Sequence, residues 1–253
     1  MNNQPTLPLL HPGDPFPPIS KSWPPGSPAP GLIAVGGALD VATLRNAYAS
    51  TIFPWFSAGE PILWWSPDPR MVLKVSDFRL HHSLRKTLHR FVGDARSEVR
   101  FDSAFHQVIG ACARIPRHGQ SGTWIGPKMR SAYQALYEAG GAHSVETWID
   151  GQLVAGLYCV SVGRALFGES MFTDVTDGSK IALSALVAWC RHHGVPLIDC
   201  QQNTHHLASL GAHEISRLEF AERVAVLAKE PSPEWKFEPI YWDELVLSAQ
   251  NPQ

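Results

Sequence analysis

The chain has 253 residues, of which 44% are hydrophobic and 17% are charged, and its formal net charge is -2. This length allows one large domain or two unequal ones with an ample core. The nearly neutral charge excludes attraction of nucleic acid by the protein as a whole, so any such binding needs a local basic patch.

The four cysteines have no paired spacing and stand in apolar surroundings, which is typical of reduced core residues in the cytoplasm. The first residues lack a basic stretch followed by an apolar one, so we expect no signal peptide. No run approaches the roughly 20 apolar residues that a membrane span needs. We therefore expect a soluble, cytoplasmic protein.

Proline dominates residues 1–30, for which we expect extended chain with little regular structure. An aromatic-rich segment follows, in which Asp40 is positioned to cap a helix. In the first half of the chain the sequence pattern predicts four helices, over 40–50, 78–91, 103–114 and 128–139.

A β meander is predicted next, with three strands over 143–149, 152–162 and 165–172. A helix capped by Ser179 should follow, and then a strand over 195–201. Ser216, with Glu219 three residues later, predicts the start of a last helix.

This order of elements predicts an α+β fold in which mixed α/β layers surround a mixed sheet. It resembles the GNAT (acyl-CoA N-acyltransferase) architecture, and we expect a small N-terminal domain over 1–76 and a larger GNAT-like domain over 77–253. The phosphate-binding glycine motif of those enzymes is missing before the long helix, which argues against an acyl-CoA donor.

Asp199 and Gln201 end the segment VPLIDCQ. Strand side chains alternate, so we expect this acid and this amide to share one face, opposite Ile198 and Cys200. A carboxylate in an apolar strand needs a hydrogen-bonding partner. Asp199 either caps the loop that follows or belongs to a catalytic acid–amide pair.

Glu169 lies between two small residues in GESMF, where the neighbouring glycine lets a ligand or another backbone approach closely. A salt-bridged edge glutamate is the alternative interpretation. Six apolar residues, each also typical of plain core, would supply a hydrophobic pocket: Leu157, Leu166, Met171, Leu183, Leu186 and Ile198.

Four tryptophans fall in loop-like segments: Trp55, Trp64, Trp65 and Trp124. They either cover the core or form stacking surfaces for unpaired bases, each worth roughly 1–3 kcal/mol. A run of basic residues follows soon after Trp65, and it is either a solvated face or a binding surface for a single-stranded RNA end: Arg70, Lys74, Arg79, Arg85 and Lys86.

A metal site has soft candidate ligands around the 195–201 strand, but no C-x₂-C or H-x₃-H spacing occurs there. There is no G-x-S-x-G motif either, which disfavours covalent hydrolase chemistry. We therefore predict no metal.

Several segments together resemble the leucyl/phenylalanyl-tRNA–protein transferase family: GLIAVGGALD, FPWFSAGEPILWWSPDPR, GTWIGPKMRSAYQALYEAGGAHSVETW, LVAGLYCVSVGRALFGESMF, SKIALSALV and LIDCQQNTHHLASLGAHEISRLEF. The resemblance covers residues 31–220. It implies transfer of leucine or phenylalanine, with methionine as a further candidate, from aminoacyl-tRNA to proteins that begin with arginine or lysine, which marks them for degradation in the N-degron pathway. It implies no cofactor.

The resemblance also implies roles for single residues. The acid–amide pair is Asp199 and Gln201, the active-site glutamate is Glu169, and Trp55 and Trp124 sandwich the terminal adenosine of the tRNA. We expect Gln201, held in place by Asp199, to orient the attacking amine or the oxyanion. We also expect Asp199 to attract the ammonium, and Glu169 to anchor the α-amino group of the donor or the basic acceptor. An acyl-CoA-dependent N-acetyltransferase and a non-catalytic RNA-binding module remain the alternatives.

Overall fold

A computed structural model of the chain describes residues 7–115 and 123–246. Its strands are β1 (Leu9–Leu10), β2 (Leu32–Gly36), β3 (Phe53–Pro54), β4 (Leu63–Trp65), β5 (Arg70–Lys74), β6 (Ser97–Phe101), β7 (Ala142–Ile149), β8 (Gln152–Val162), β9 (Ala165–Thr173), β10 (Leu197–Gln201) and β11 (His213–Ile215). Its α-helices are α1 (Val41–Ala49), α2 (His82–Val92), α3 (Phe105–Cys112), α4 (Pro127–Glu138), α5 (Gly178–His193), α6 (His205–Ser209) and α7 (Arg217–Leu227).

The strands form two mixed sheets. The smaller sheet has the order β1-β2-β4-β3, and the larger has the order β11-β5-β10-β9-β8-β7-β6. Within the large sheet β9 and β10 run parallel and the other neighbours are antiparallel. Buried apolar side chains cover both of its faces, with α1, α3, α4 and α7 on one side and α2 and α5 on the other. The predicted mixed α/β layers are therefore confirmed.

The β meander is confirmed because its turns are encoded locally. Asp150 and Gly151 both have left-handed backbone, with φ of 51° and 72°, as a two-residue hairpin turn between right-twisted strands requires. Asp40 is also confirmed as a helix cap, since its carboxylate accepts the backbone N–H of Thr43 at 2.9 Å.

Two predicted helix starts are wrong. Helix α2 begins at His82 rather than at residue 78, because the chain before it is held by a distant contact from the N–H of Arg79 to the carbonyl of Leu210 (2.9 Å). Helix α5 begins at Gly178, so Ser179 lies inside the helix and does not cap it. A Cβ on Gly178 would stand 2.7 Å from the Cβ of Ala155, and glycine therefore lets α5 start directly against β8.

Strand β5 lies in the large sheet although it precedes residue 77. The division of the chain at residue 76 stays a prediction, and the large sheet takes its strand β5 from the N-terminal side of that division.

Candidate active site

A cavity of about 350 Å³ opens where β9 and β10 separate. These parallel strands pair at only two positions, Leu166 with Ile198 and Phe167 with Asp199. Beyond that point β9 stays paired with β8 as far as Thr173, so the gap opens on its other side. The cavity is lined by Phe53, Pro54, Trp55, Trp124, Leu157, Tyr158, Gly168, Glu169, Ser170, Met171, Leu183, Leu186, Ile198, Asp199, Cys200, Gln201, Gln202, Thr204, His206 and Leu207. The predicted acid, amide, glutamate and two tryptophans thus meet in one place.

Asp199 is fully buried and forms an ion pair with Arg70, which is also fully buried. The guanidinium binds the carboxylate through two parallel hydrogen bonds, Nε to Oδ1 at 2.8 Å and Nη2 to Oδ2 at 2.6 Å. The prediction that Arg70 belongs to an exposed basic patch is therefore wrong. A buried carboxylate is costly without a partner, and Arg70 at the start of a buried strand supplies one.

Gln201 follows a β-bulge that interrupts the pairing of β10 with β5. Asp199 lies opposite Val72 and Gln201 opposite Met71, so regular alternation no longer puts both side chains on one face. The backbone of Gln201 is left-handed, with φ of 61°, and its N–H donates to Oδ1 of Asp199 at 2.8 Å. The acid and the amide are therefore adjacent, but through this backbone bond rather than through a shared strand face.

The carboxyl group of Glu169 accepts hydrogen bonds from three neighbouring side chains. Its Oε1 accepts from the amide nitrogen of Gln201 and from the hydroxyl of Tyr48, at 2.8 and 2.7 Å, and its Oε2 accepts from the hydroxyl of Tyr133 at 3.0 Å. The two tyrosine oxygens also contact each other at 2.5 Å. While both tyrosines donate to Glu169, no proton is left for the contact between the two hydroxyls. If a protonated Glu169 donates to Tyr133 instead, Tyr133 can donate to Tyr48 and Tyr48 to Glu169, so that each of the three contacts holds one proton.

Burial agrees with that proton count. Desolvation raises the pKa of Glu169 from 4.5 to about 7, against the lowering effect of the hydrogen bonds from Tyr48, Tyr133 and Gln201, and the charge of Asp199 raises it further. Burial and the neighbouring Glu169 also raise the pKa of both tyrosines well above their ordinary value. At neutral pH this carboxyl group therefore gains or loses a proton easily, which suits proton transfer.

The tryptophans divide into two pairs. Trp55 and Trp124 both line the cavity. Trp64 is fully buried, and its indole N–H donates to the carbonyl of Gly36, while that of Trp65 donates to the carbonyl of Trp55 at 2.7 Å. Trp64 is therefore part of the core, and Trp65 fixes the backbone of the cavity residue Trp55.

Five of the six predicted pocket residues line the cavity, and Leu166 does not. It pairs with Ile198 where β9 and β10 are still in contact, and its side chain is buried in the core beside α5. The assignment of Leu166 to the pocket is therefore corrected.

The remaining residues of the predicted basic patch keep some contact with solvent: Lys74, Arg79, Arg85 and Lys86. The backbone bond from Arg79 to Leu210 brings the start of this patch beside α6, whose His206 lines the cavity. Binding of RNA by these four side chains stays a prediction.

Sequence reasoning missed Tyr48, Tyr133 and the partnership of Arg70 with Asp199. The two tyrosines lie on the buried faces of α1 and α4, where a tyrosine hydroxyl must find a partner, and that need was the available signal. Among the residues that the structure describes, no three His, Cys, Asp or Glu side chains are grouped to hold a metal ion. Within the same ranges, no helix has both the length and the apolar character of a membrane span.

Two family models match the chain. One is described as leucyl/phenylalanyl-tRNA protein transferase and matches residues 72–225, and the other is the N-terminal domain of that family and matches residues 37–68. The chain is 58% identical to the leucyl/phenylalanyl-tRNA–protein transferase of Polaromonas sp. over 97% of its own length and 96% of that protein. It is 54% identical to the enzyme of the same name from Leptothrix cholodnii, over 95% of this chain and 94% of that one.

Solved structures with partial likeness include a GCN5-related N-acetyltransferase from Kribbella flavida, with a TM-score of 0.32 and 11% identity over 67% of this chain and 58% of that one. Another is L-PGS from Bacillus licheniformis, with a TM-score of 0.37 and 14% identity over 74% of this chain and 59% of that one.

Proposed function

We propose, from the premise that this chain belongs to the leucyl/phenylalanyl-tRNA–protein transferase family, that it moves leucine or phenylalanine from aminoacyl-tRNA to the N-terminal amine of proteins that begin with arginine or lysine. The family makes the chain an aminoacyltransferase. The acceptor class and a role in the N-degron pathway are part of the proposal. The four cysteines are free, which supports a cytoplasmic location.

The donor's end would enter the cavity between Trp55 and Trp124. An adenine ring can stack on an indole without any sequence-specific hydrogen bond. The apolar side chains from α5 and the strands would then surround the aminoacyl side chain. In this arrangement the segment 1–76 supplies Phe53, Pro54 and Trp55, and the segment 77–253 supplies the other residues of the pocket.

The chemistry needs no protein nucleophile. The donor ester is already activated, and an α-amine with a pKa near ~8 is partly neutral at cytoplasmic pH. Catalysis therefore requires positioning, stabilisation of the oxyanion and a route for one proton. The side-chain amide of Gln201 is the group placed for the first two tasks, because it lines the cavity and is oriented by the hydrogen bond from its nitrogen to Oε1 of Glu169 at 2.8 Å.

Asp199 keeps only one of the two roles expected from the sequence, that of holding Gln201. Arg70 occupies both of its oxygens, so Asp199 is not a free carboxylate that attracts an ammonium. It holds the backbone N–H of Gln201 instead, and so keeps that amide in the cavity.

Glu169 would receive a proton from the attacking amine and return it to the ribose oxygen that leaves the donor ester, or it would bind the α-amino group of the donor. Its pKa of about 7 lies close to the pKa of such amines, and proton exchange between groups of similar pKa is efficient. The exposed and half-buried basic residues around α2 would contact phosphates of the tRNA outside the cavity.

The single observation that carries this proposal is the position of Gln201 in a cavity that two tryptophans line. Its backbone N–H is held by Asp199, and its side-chain amide is held by Glu169. The direct test is to incubate the protein with leucyl-tRNA, phenylalanyl-tRNA or acetyl-CoA and with peptides that begin with arginine, lysine or alanine. We expect aminoacyl transfer to the first two peptides only. Transfer from acetyl-CoA, or no transfer from either tRNA, would contradict the proposal.

Asp199→Asn tests the site itself. It keeps the size of the side chain but removes the charge that pairs with Arg70, and we expect turnover of the folded variant to fall by orders of magnitude. Its stability should also fall by about 3–5 kcal/mol, because the buried guanidinium loses its charged partner. One preorganised donor typically contributes about 3–4 kcal/mol to catalysis. Transfer near the wild-type rate in the folded variant would remove the assigned role.

A further inference from the structure

The guanidinium of Arg70 joins parts of the chain that are distant in sequence. Besides its ion pair with Asp199 on β10, its Nη1 donates to the carbonyl of Thr51 at 3.1 Å. Its central carbon lies over the rings of Phe53 on β3 and Phe220 on α7, 4.8 and 4.7 Å from their centroids. With no exposed surface, this side chain has one fixed environment.

Two segments that line the cavity begin at residues in contact with this guanidinium. Two residues after Phe53 the chain reaches Trp55, which lines the cavity as a predicted base platform. Two residues after Asp199 it reaches Gln201, which lines the cavity as well. The position of Arg70 therefore sets the separation between the site that would hold the donor's adenosine and the amide that would act on its ester.

The stability of the fold alone does not explain why a buried arginine stands at position 70. A buried ion pair repays its desolvation cost only with excellent geometry, and apolar replacements are often as stable. What arginine adds is a rigid planar fork, which fixes the angle of a carboxylate as well as its distance. A lysine ammonium at the same place would keep the charge and lose that fork.

We propose that Arg70 is a positioning residue for the transfer reaction, which aligns Gln201 with the donor platform at Trp55 and touches no substrate itself. This inference rests on the proposed function. Errors of about 1 Å in the placement of reacting groups cost on the order of 100-fold in rate. The loss should therefore appear in kcat, while binding of the tRNA end is largely kept.

The test compares Arg70→Lys with Arg191→Lys. Arg191 is the matched control, since it is a half-buried arginine that donates to the carbonyls of Val75 and Glu244 and does not line the cavity. Unfolding by denaturant is recorded for each variant, and then kcat and the donor KM are measured with phenylalanyl-tRNA and an arginine-starting peptide.

For Arg70→Lys we expect kcat to fall at least about tenfold and the donor KM to change less than about threefold. Arg191→Lys should keep kcat within about twofold of the wild type. Combining Arg70→Lys with Asp199→Asn should lower kcat no further than Asp199→Asn alone, because the two residues act as one unit.

A folded Arg70→Lys protein with wild-type kcat, or losses that multiply in the double variant, would overturn the inference. If Arg70→Lys does not fold, Phe220→Leu replaces it, since it loosens the guanidinium and keeps the ion pair. A folded Phe220→Leu protein should show a lower kcat, and an unchanged kcat would overturn the inference equally. Absence of transfer by the wild type would refute the proposed function, and this inference with it.

Discussion

Replacement of Glu169 by glutamine should change how the stability of the protein depends on pH. Glu169→Gln keeps the size of the side chain and removes the group that shares protons with Tyr48 and Tyr133. Burial raises the pKa of Glu169 from 4.5 to about 7, so the folded protein holds this proton over a pH range in which the unfolded chain has released it.

The sign and size of the effect follow from linkage. A raised pKa in the folded state contributes stability that is complete below about pH 4.5 and is lost as pH rises through about 7. Between pH 5 and pH 8 the wild type should lose about 2.5 kcal/mol of unfolding free energy that the glutamine variant does not lose.

Denaturant titrations of both proteins at pH 5, 6, 7 and 8 measure this difference directly. Other titrating groups are common to the two proteins and cancel when one curve is subtracted from the other. Stability curves that run parallel across this range would refute the reasoning, because they would show that Glu169 has an ordinary pKa.

The same experiment has an activity arm. If the carboxylate form takes part in transfer, the wild-type to Glu169→Gln ratio of kcat/KM should rise about tenfold from pH 6 to pH 8. Titration of the acceptor amine affects both proteins and cancels in the ratio. A ratio independent of pH would exclude Glu169 as a proton acceptor.

Four further substitutions test the donor side. Trp55→Ala and Trp124→Ala should each weaken donor binding about 5- to 150-fold, because each removes one stacking surface. Competition with a 3′-aminoacyl-adenosine analogue measures this affinity, and an unchanged value would mean that the tryptophan only covers the core. Lys86→Gln should lower the slope of log affinity against log salt for tRNA by about 1, and an equal slope would leave the patch as solvated surface. Leu186→Ala should enlarge the pocket and raise the phenylalanine-to-leucine ratio of kcat/KM about tenfold, whereas an unchanged ratio would exclude Leu186 from donor selection.

The structure provides a matched control for the tRNA prediction. Lys229 is an exposed lysine just after α7 and does not line the cavity, so Lys229→Gln removes the same charge elsewhere. Its salt slope should equal that of the wild type.

Local signals allowed the sequence to predict the meander, helix α1 and the strand that carries Asp199, since turn residues and a cap identify them within a few positions. Contacts between distant segments were beyond such signals. Arg70 and Asp199 are 129 residues apart, and a run of neighbouring charges made Arg70 resemble a surface residue. The side-chain alternation expected for Gln201 failed for a related reason, because the bulge depends on pairing with β5.

The layout of the cavity separates two properties that evolution or design could alter independently. Leu183 and Leu186, which would choose the transferred amino acid, lie on helix α5, whereas Glu169 and Gln201, which would handle its chemistry, lie on strands β9 and β10. Repacking the helix face therefore leaves the proton-sharing groups in place. A variant with a new amino acid preference can be sought there without rebuilding the reaction centre.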